Sequence, residues 1–184
     1  MGSGYSQRPG YIHVDVSSTI AGIDLIARGD ELPLPPSWAD EILAVHMIEH
    51  VPPPLLGKTL RHWLNVLVPG GVLNVHTPNG AALGRAIAEA TGGDGKVVWA
   101  AESAIYGYWL APWDADGPER LSSTPDHKVL LTWPILADLL HDAGFTDVED
   151  VSGQDPDCHH QRDWAPYVPG LCLEVRARRP LTSG

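Results

Sequence analysis

The opening residues Gly2-Ser3-Gly4 form a Gly-x-Gly, and an acid, Asp15, stands a short way downstream. Glycines at a tight turn let the backbone approach a ligand closely. An acid on the following strand can take two ribose hydroxyls through its two carboxylate oxygens. The full dinucleotide fingerprint, G-x-G-x-x-G, is not met, because its third glycine position is Gln7. Asp15 also comes too early for a full helix to fit between loop and acid, which argues against a nicotinamide-dependent oxidoreductase. Further along, Asp155, Asp157, Cys158, His159 and His160 crowd together. Adjacent histidines lack the spacing of a zinc site, so a surface loop is expected there and no metal is assigned. Tyr106, Trp109 and Trp113 could stack on a sugar or a planar acceptor, or could fill a small satellite core.

The chain that must position these groups has 184 residues, 43% of them hydrophobic, and a net charge of −11. That is enough for one domain with a real core, and it excludes a disordered chain. The acidic balance argues against a protein that tracks nucleic-acid phosphates. Two cysteines, Cys158 and Cys172, make no disulfide framework, and no apolar run is long enough to span a membrane. A reducing, cytoplasmic setting is expected.

Nineteen glycines and 17 prolines punctuate the apolar runs. Residues 11–16 (YIHVDV) read as a strand, as do 24–27 and 41–46 (EILAVH). Residues 55–67 carry Leu56, Leu60, Leu64 and Leu67 at helical spacing, between a triple proline and Pro69-Gly70-Gly71. Residues 72–76 form the next strand and 81–90 the next helix. Residues 91–126 fit neither period. Thr132 is a candidate N-cap for a helix through Ile135, Leu136, Leu139, Leu140 and Ala143, stopped by Gly144. Residues 145–151 and 171–177 are two late strands, and Arg176, Arg178 and Arg179 are expected on a solvated edge. Such alternation implies an α/β domain around a mostly parallel sheet, with ligands at the carboxyl ends of its strands.

Several strings resemble the class I S-adenosylmethionine-dependent methyltransferases, in particular the compact methyltransferase type 11-like group. GSGYSQRPGYIHVDVSS is similar to the family's glycine loop running into its second strand. GDELPLPPSWADEILAVHMIEHV, LNVLVPGGVLNVHTPN and DHKVLLTWPILADLLHDAGFTDVE follow in the family's order across nearly the whole chain. The resemblance implies a Rossmann-like three-layer sandwich in a single domain over residues 1–184, with an acceptor-side insert at 91–126. It also implies S-adenosyl-L-methionine as cofactor and an acceptor that is a small molecule or saccharide. By the same resemblance, Gly2, Ser3 and Gly4 lie against the cofactor's methionine part, Asp15 binds the ribose, and Asp30, Glu31 and Leu32 meet the adenine. His46 lines the cofactor near the sulfonium. His127, in the family's His-Lys pair, is either a substrate-side group or a ligand of a buried backbone group. His127 and His46 are the candidate general bases. The Glu49-His50 pair is either structural or catalytic. Two departures stand out. Arg28 occupies the position of the family's usual adenine-binding acid. The family's first, central strand precedes the glycine loop, so a chain opening at that loop is expected to lack it or keep only a remnant. An inactive fragment or a non-catalytic cofactor-binding homologue is the alternative reading.

Overall fold

The structure is a computed structural model and describes residues 1, 8–107, 127–154 and 170–181. Two short strands, β1 (Val14–Asp15) and β2 (Leu25–Ile26), pair in parallel. The runs 11–16 and 24–27 thus contribute only two residues each to a ladder. Ile12, Val16 and Ile26 stay exposed, so little apolar surface is available to extend the pairing.

The main sheet has the order β3-β4-β6-β5. Its strands are β3 (Ala39–Val45), β4 (Leu67–Pro78), β5 (Thr146–Asp150) and β6 (Cys172–Arg178). β3 and β4 are parallel, which requires a crossover, and α1 (Leu56–Val66) supplies it. β6 runs antiparallel to both β4 and β5. Parallel pairing therefore accounts for β1–β2 and β3–β4 but not for the β6 side of the sheet. β4 extends well beyond the expected residues 72–76. Leu67 already pairs with Ala39, and Pro78, which needs no N–H at the strand end, closes the ladder opposite Cys172.

Side-chain alternation sets the faces. Leu73 and Val75 of β4, with Leu173, Val175 and Ala177 of β6, join one core. Leu56, Leu60, Trp63 and Val66 of α1 pack into it, as do Leu136, Leu140 and Ala143 of α4 (Trp133–Ala143). The other face of the sheet carries polar residues: Asn74 donates to Glu41 at 2.7 Å and accepts from Arg176 at 3.3 Å.

Thr132 precedes α4 with extended backbone but makes no side-chain cap. Gly144 ends the helix at φ 103°, as the sequence suggests. Asn79 caps α2 (Gly80–Glu89): its side chain accepts from the N–H groups of Ala81 and Ala82 at 3.2 and 3.3 Å.

The stretch 91–126 departs most from the sequence reading. Its first part forms α3 (Gly95–Tyr106), packed on α2 through the small side chains of Ala100, Ala101 and Ser103. With Leu83 and Leu171 these alanines make a second small core. Valines and a tryptophan around the α3 surface blur the helical period, so only a neighbouring helix reveals which face is inner. Arg179 differs as well. Instead of lying in solvent, its Nη1 reaches the carbonyls of Leu64 and Asn65 at 3.2 and 3.0 Å, and that of Leu67, at the C-terminal end of α1. Orphan carbonyls and the negative end of the helix dipole both favour a cation there.

The two sheets share no ladder among the described residues. Met1 bonds to β3 of the larger one. Its amino group donates to the Leu43 carbonyl at 2.5 Å, and its carbonyl accepts from Val45 N at 3.1 Å. Burial pushes the amino group's pKa down to about 6, against an opposing pull from the Asp15 charge.

Candidate functional site at the carboxyl edge of the sheet

β3 ends at Val45, and the chain turns sharply. His46 takes a left-handed backbone, φ 46°, which is costly for a residue with a Cβ and persists only where the surroundings enforce it. The enforcing bond runs from His46 N to the His76 carbonyl of β4, at 2.9 Å. One helical turn, Ile48–His50, follows and buries Ile48 and Glu49 completely. The turn is held from the far side by the returning segment after residue 126: Lys128 N and Val129 N both donate to the Glu49 carbonyl, at 2.7 and 3.2 Å.

The result is a cluster of titratable side chains drawn from distant parts of the chain. The Glu49 carboxylate lies 3.1 Å from His46 Nδ1 and accepts from the Thr77 hydroxyl at 3.4 Å. His127 Nε2 stands 4.0 Å from the same carboxylate, and the His50 and His127 rings meet edge to face with centroids 4.8 Å apart. Cys172 Sγ, at the start of β6, is 3.8 Å from His46 Nε2. A buried carboxylate is costly to ionise, and burial raises the Glu49 pKa. The His46 hydrogen bond and charge, with smaller help from a backbone N–H and from His127, outweigh that and hold it below the usual value. Burial likewise lowers the His127 pKa, and the opposing Glu49 charge does not restore it. His127 Nδ1 donates to the Ala104 carbonyl of α3 at 2.8 Å, so the neutral ring carries its lone pair on Nε2, facing the cluster. Gly107, at φ 83°, leaves room for this ring: a Cβ there would sit 3.2 Å from Nε2.

Asp15 occupies the carboxyl end of β1, where its Oδ1 accepts from Ser17 N at 2.9 Å. Met1 is bonded to β3 and its amino group feels the Asp15 charge. Just past β2, Asp30 is gripped by Arg28: Nε meets Oδ1 at 2.9 Å and Nη2 meets Oδ2 at 2.6 Å. The cation at the position of the family's acid is thus neutralised by the neighbouring one. Glu31 is exposed, whereas Leu32 is buried in the core and its carbonyl meets the His62 ring at 3.0 Å. Trp63 of α1 donates its indole N–H to the Gly29 carbonyl at 2.7 Å and so fixes this turn.

The structure therefore gathers His46 and His127, and adds Glu49, His50, Thr77 and Cys172 to them. Glu49 is the residue that sequence reasoning undervalued. Its signal was the Glu49-His50 pair, which the sequence left open between a structural and a catalytic role. Tyr106, at the end of α3, is half-exposed. Gly2, Ser3, Gly4, Trp109, Trp113 and the 155–160 cluster lie outside the described residues.

No known family's sequence pattern matches the chain, and no curated protein matches it. Solved structures do. A methyltransferase dependent on S-adenosylmethionine (SAM) from Mesorhizobium loti superposes with a TM-score of 0.54 at 19% identity, over 90% of this chain and 78% of that one. A SAM-dependent methyltransferase from Thermotoga maritima gives 0.53 at 18% identity, over 90% and 72%. One from Archaeoglobus fulgidus gives 0.53 at 14%, over 90% and 74%. The chain spans only 43% of the length of another match, described as a possible exported protein from Bordetella parapertussis. The fold is that of the class I SAM-dependent methyltransferases. Among the described residues, no helix is long and apolar enough to cross a membrane.

Proposed function

We propose that the chain is an S-adenosylmethionine-dependent methyltransferase acting on a small-molecule or saccharide acceptor. The observation that carries the reading is the gathering of His46, Glu49 and His127 beyond the carboxyl end of β3, with Asp15 at the carboxyl end of β1. That is where open α/β sheets bind their ligands. The residues present suit the cofactor. Asp15 offers a carboxylate for the ribose at a strand end, and the turn carrying the Arg28–Asp30 pair is the one we assign to the adenine. S-adenosylmethionine, when bound, supplies a methyl carbon that bonds to the acceptor's lone pair while its bond to sulfur breaks and the pair stays on sulfur.

The chain's own residues then orient the acceptor and manage its proton. Orientation can contribute roughly 7–11 kcal/mol at best, and a base matters only for an acceptor protonated near neutral pH. His46 is the proton acceptor in this reading. With Nδ1–H donated to the Glu49 carboxylate, the neutral ring presents the lone pair of Nε2, 3.8 Å from Cys172 Sγ. His127 lines the acceptor side.

Calorimetry with S-adenosylhomocysteine tests the cofactor half. Binding is expected for the chain, and Asp15→Ala is expected to weaken it by about 1–3 kcal/mol through lost ribose hydrogen bonds. Affinity unchanged in that variant would remove Asp15 from the site. A second reading, a non-catalytic cofactor-binding homologue, is favoured by the absence of a ladder between β1 and β3 among the described residues. Cofactor binding without turnover on hydroxyl, amine and sugar acceptors would favour that second reading.

A further inference from the structure

We propose that Glu49, His50 and His127 bind a divalent transition-metal ion, zinc or manganese in class, at the carboxyl edge of the main sheet. Each of the three offers one ligand atom, and these atoms lie within 4.8 Å of one another. Two imidazoles and a carboxylate form a donor set suited to such ions, which leaves coordination positions open for water or substrate. Donors around an ion at about 2.1 Å stand roughly 3.4 Å apart, so closure asks for side-chain shifts of about an ångström.

Three independent features point to a ligand rather than to packing alone. First, His50 Nδ1 is buried and has no hydrogen-bond partner among the described residues, an arrangement that costs free energy unless something else satisfies it. Second, His127 Nδ1 is tied to the Ala104 carbonyl, which sets the ring and directs Nε2 inward; metal-binding histidines are oriented in this way by their other nitrogen. Third, Nε2 lies 4.0 Å from the Glu49 oxygen, beyond hydrogen-bonding distance. A lone pair and a carboxylate that face each other across that gap leave room for a cation between them. His46 holds the same Glu49 oxygen, Oε1, and Thr77 the other, Oε2, as partners outside the ligand set would.

The consequence rests on the methyltransferase reading. An ion here, beside the proton acceptor His46, would take the oxygen of a hydroxyl-bearing acceptor as a further ligand, making that oxygen easier to deprotonate. The acceptor class it implies is an alcohol or sugar hydroxyl rather than an amine.

The test is a titration of the chelator-treated full chain with zinc and, separately, with manganese, read by calorimetry and by metal content after gel filtration. One ion per chain is expected. His50→Ala and His127→Ala should each weaken binding by about 100-fold or more, whereas Cys158→Ala/His159→Ala/His160→Ala together should leave it unchanged. His50 is only partly buried and one ring nitrogen is unpartnered, so its truncation disturbs the fold least. Binding that survives both single variants, or is lost in the triple variant, overturns the proposal, as does no binding to the wild type. S-adenosylhomocysteine is titrated in parallel. Metal binding without cofactor binding sinks only the methyltransferase reading, and cofactor binding without metal sinks only the metal site.

Discussion

The two sheets of this molecule are built to different standards. The β3-β4-β6-β5 sheet has strands of up to 12 residues, a continuous antiparallel register from Val72↔Arg178 to Pro78↔Cys172, and a core with fully buried leucines on one face. The β1–β2 pair has two residues per strand and one well-buried side chain, Val14. The first region can hold a costly arrangement, such as the left-handed His46 and the buried Glu49, because its ladders over-determine the backbone. The second holds Asp15 and Asp30 by local turns and by the grip of Trp63 on Gly29. The groups proposed for proton transfer and metal binding therefore sit on the better-braced part, and those proposed for cofactor recognition sit on the more compliant one.

The largest expected contrast is in amide exchange. Amides of Leu73, Val75, Leu173 and Val175 should exchange only on global unfolding, while those of Leu25 and Ala27 should exchange orders of magnitude faster. Equal protection in both regions would erase the distinction. Next comes Trp63→Ala, which removes a fully buried side chain and the bond to Gly29 that joins the two regions. A loss of about 3–5 kcal/mol is expected from denaturant unfolding, together with weaker cofactor binding. If only stability falls and affinity holds, the turn at 29–31 is set by something other than α1.

Arg179→Ala should cost about 1–3 kcal/mol, because the carbonyls at the end of α1 lose a charged donor. Cofactor affinity should not change, since this contact lies within the rigid region. The smallest effect belongs to Asp24, which accepts from His13 N at 2.8 Å and pairs with its ring at 3.1 Å. These hydrogen bonds hold the exposed Asp24 carboxyl below its ordinary value. Its contribution is therefore present above the unfolded pKa and is lost as pH falls through the lowered one. Melting curves of Asp24→Asn and the wild type should differ slightly at pH 7 and converge as pH falls below about 3.8. A gap that persists at low pH would mean that the pair does not act through charge.

Much of this was legible in the residues. Leucine spacing marked α1, the Pro-Asn-Gly string marked the end of β4 and the Asn79 cap, and Gly144 marked the stop of α4. The likeness of LPLP, EILAVH, LVPGGVL and HK to one family pointed to the fold that the structural matches share. Less legible were the features decided by distant neighbours. α3 hid because its small and apolar residues surround the helix, and only α2 tells which side is inner. Arg179 read as a solvated edge because its partners are carbonyls at the end of a helix more than 100 residues away.

The sequence by itself determined the order of the elements outside 91–126, the acidic balance and the chemical types available at each strand end, because these depend on local propensity and composition. Only the tertiary structure decided which of those types meet. Glu49, His50, His127, Thr77 and Cys172 come from four separate segments and converge because β3, β4 and β6 pair in one register and the segment after residue 126 hydrogen-bonds to the Glu49 carbonyl. Burial then makes that meeting consequential. In water a carboxylate and two imidazoles at these spacings would be screened and indifferent to one another, whereas within the fold burial lowers the His127 pKa and the surrounding charges and hydrogen bonds hold Glu49 ionised.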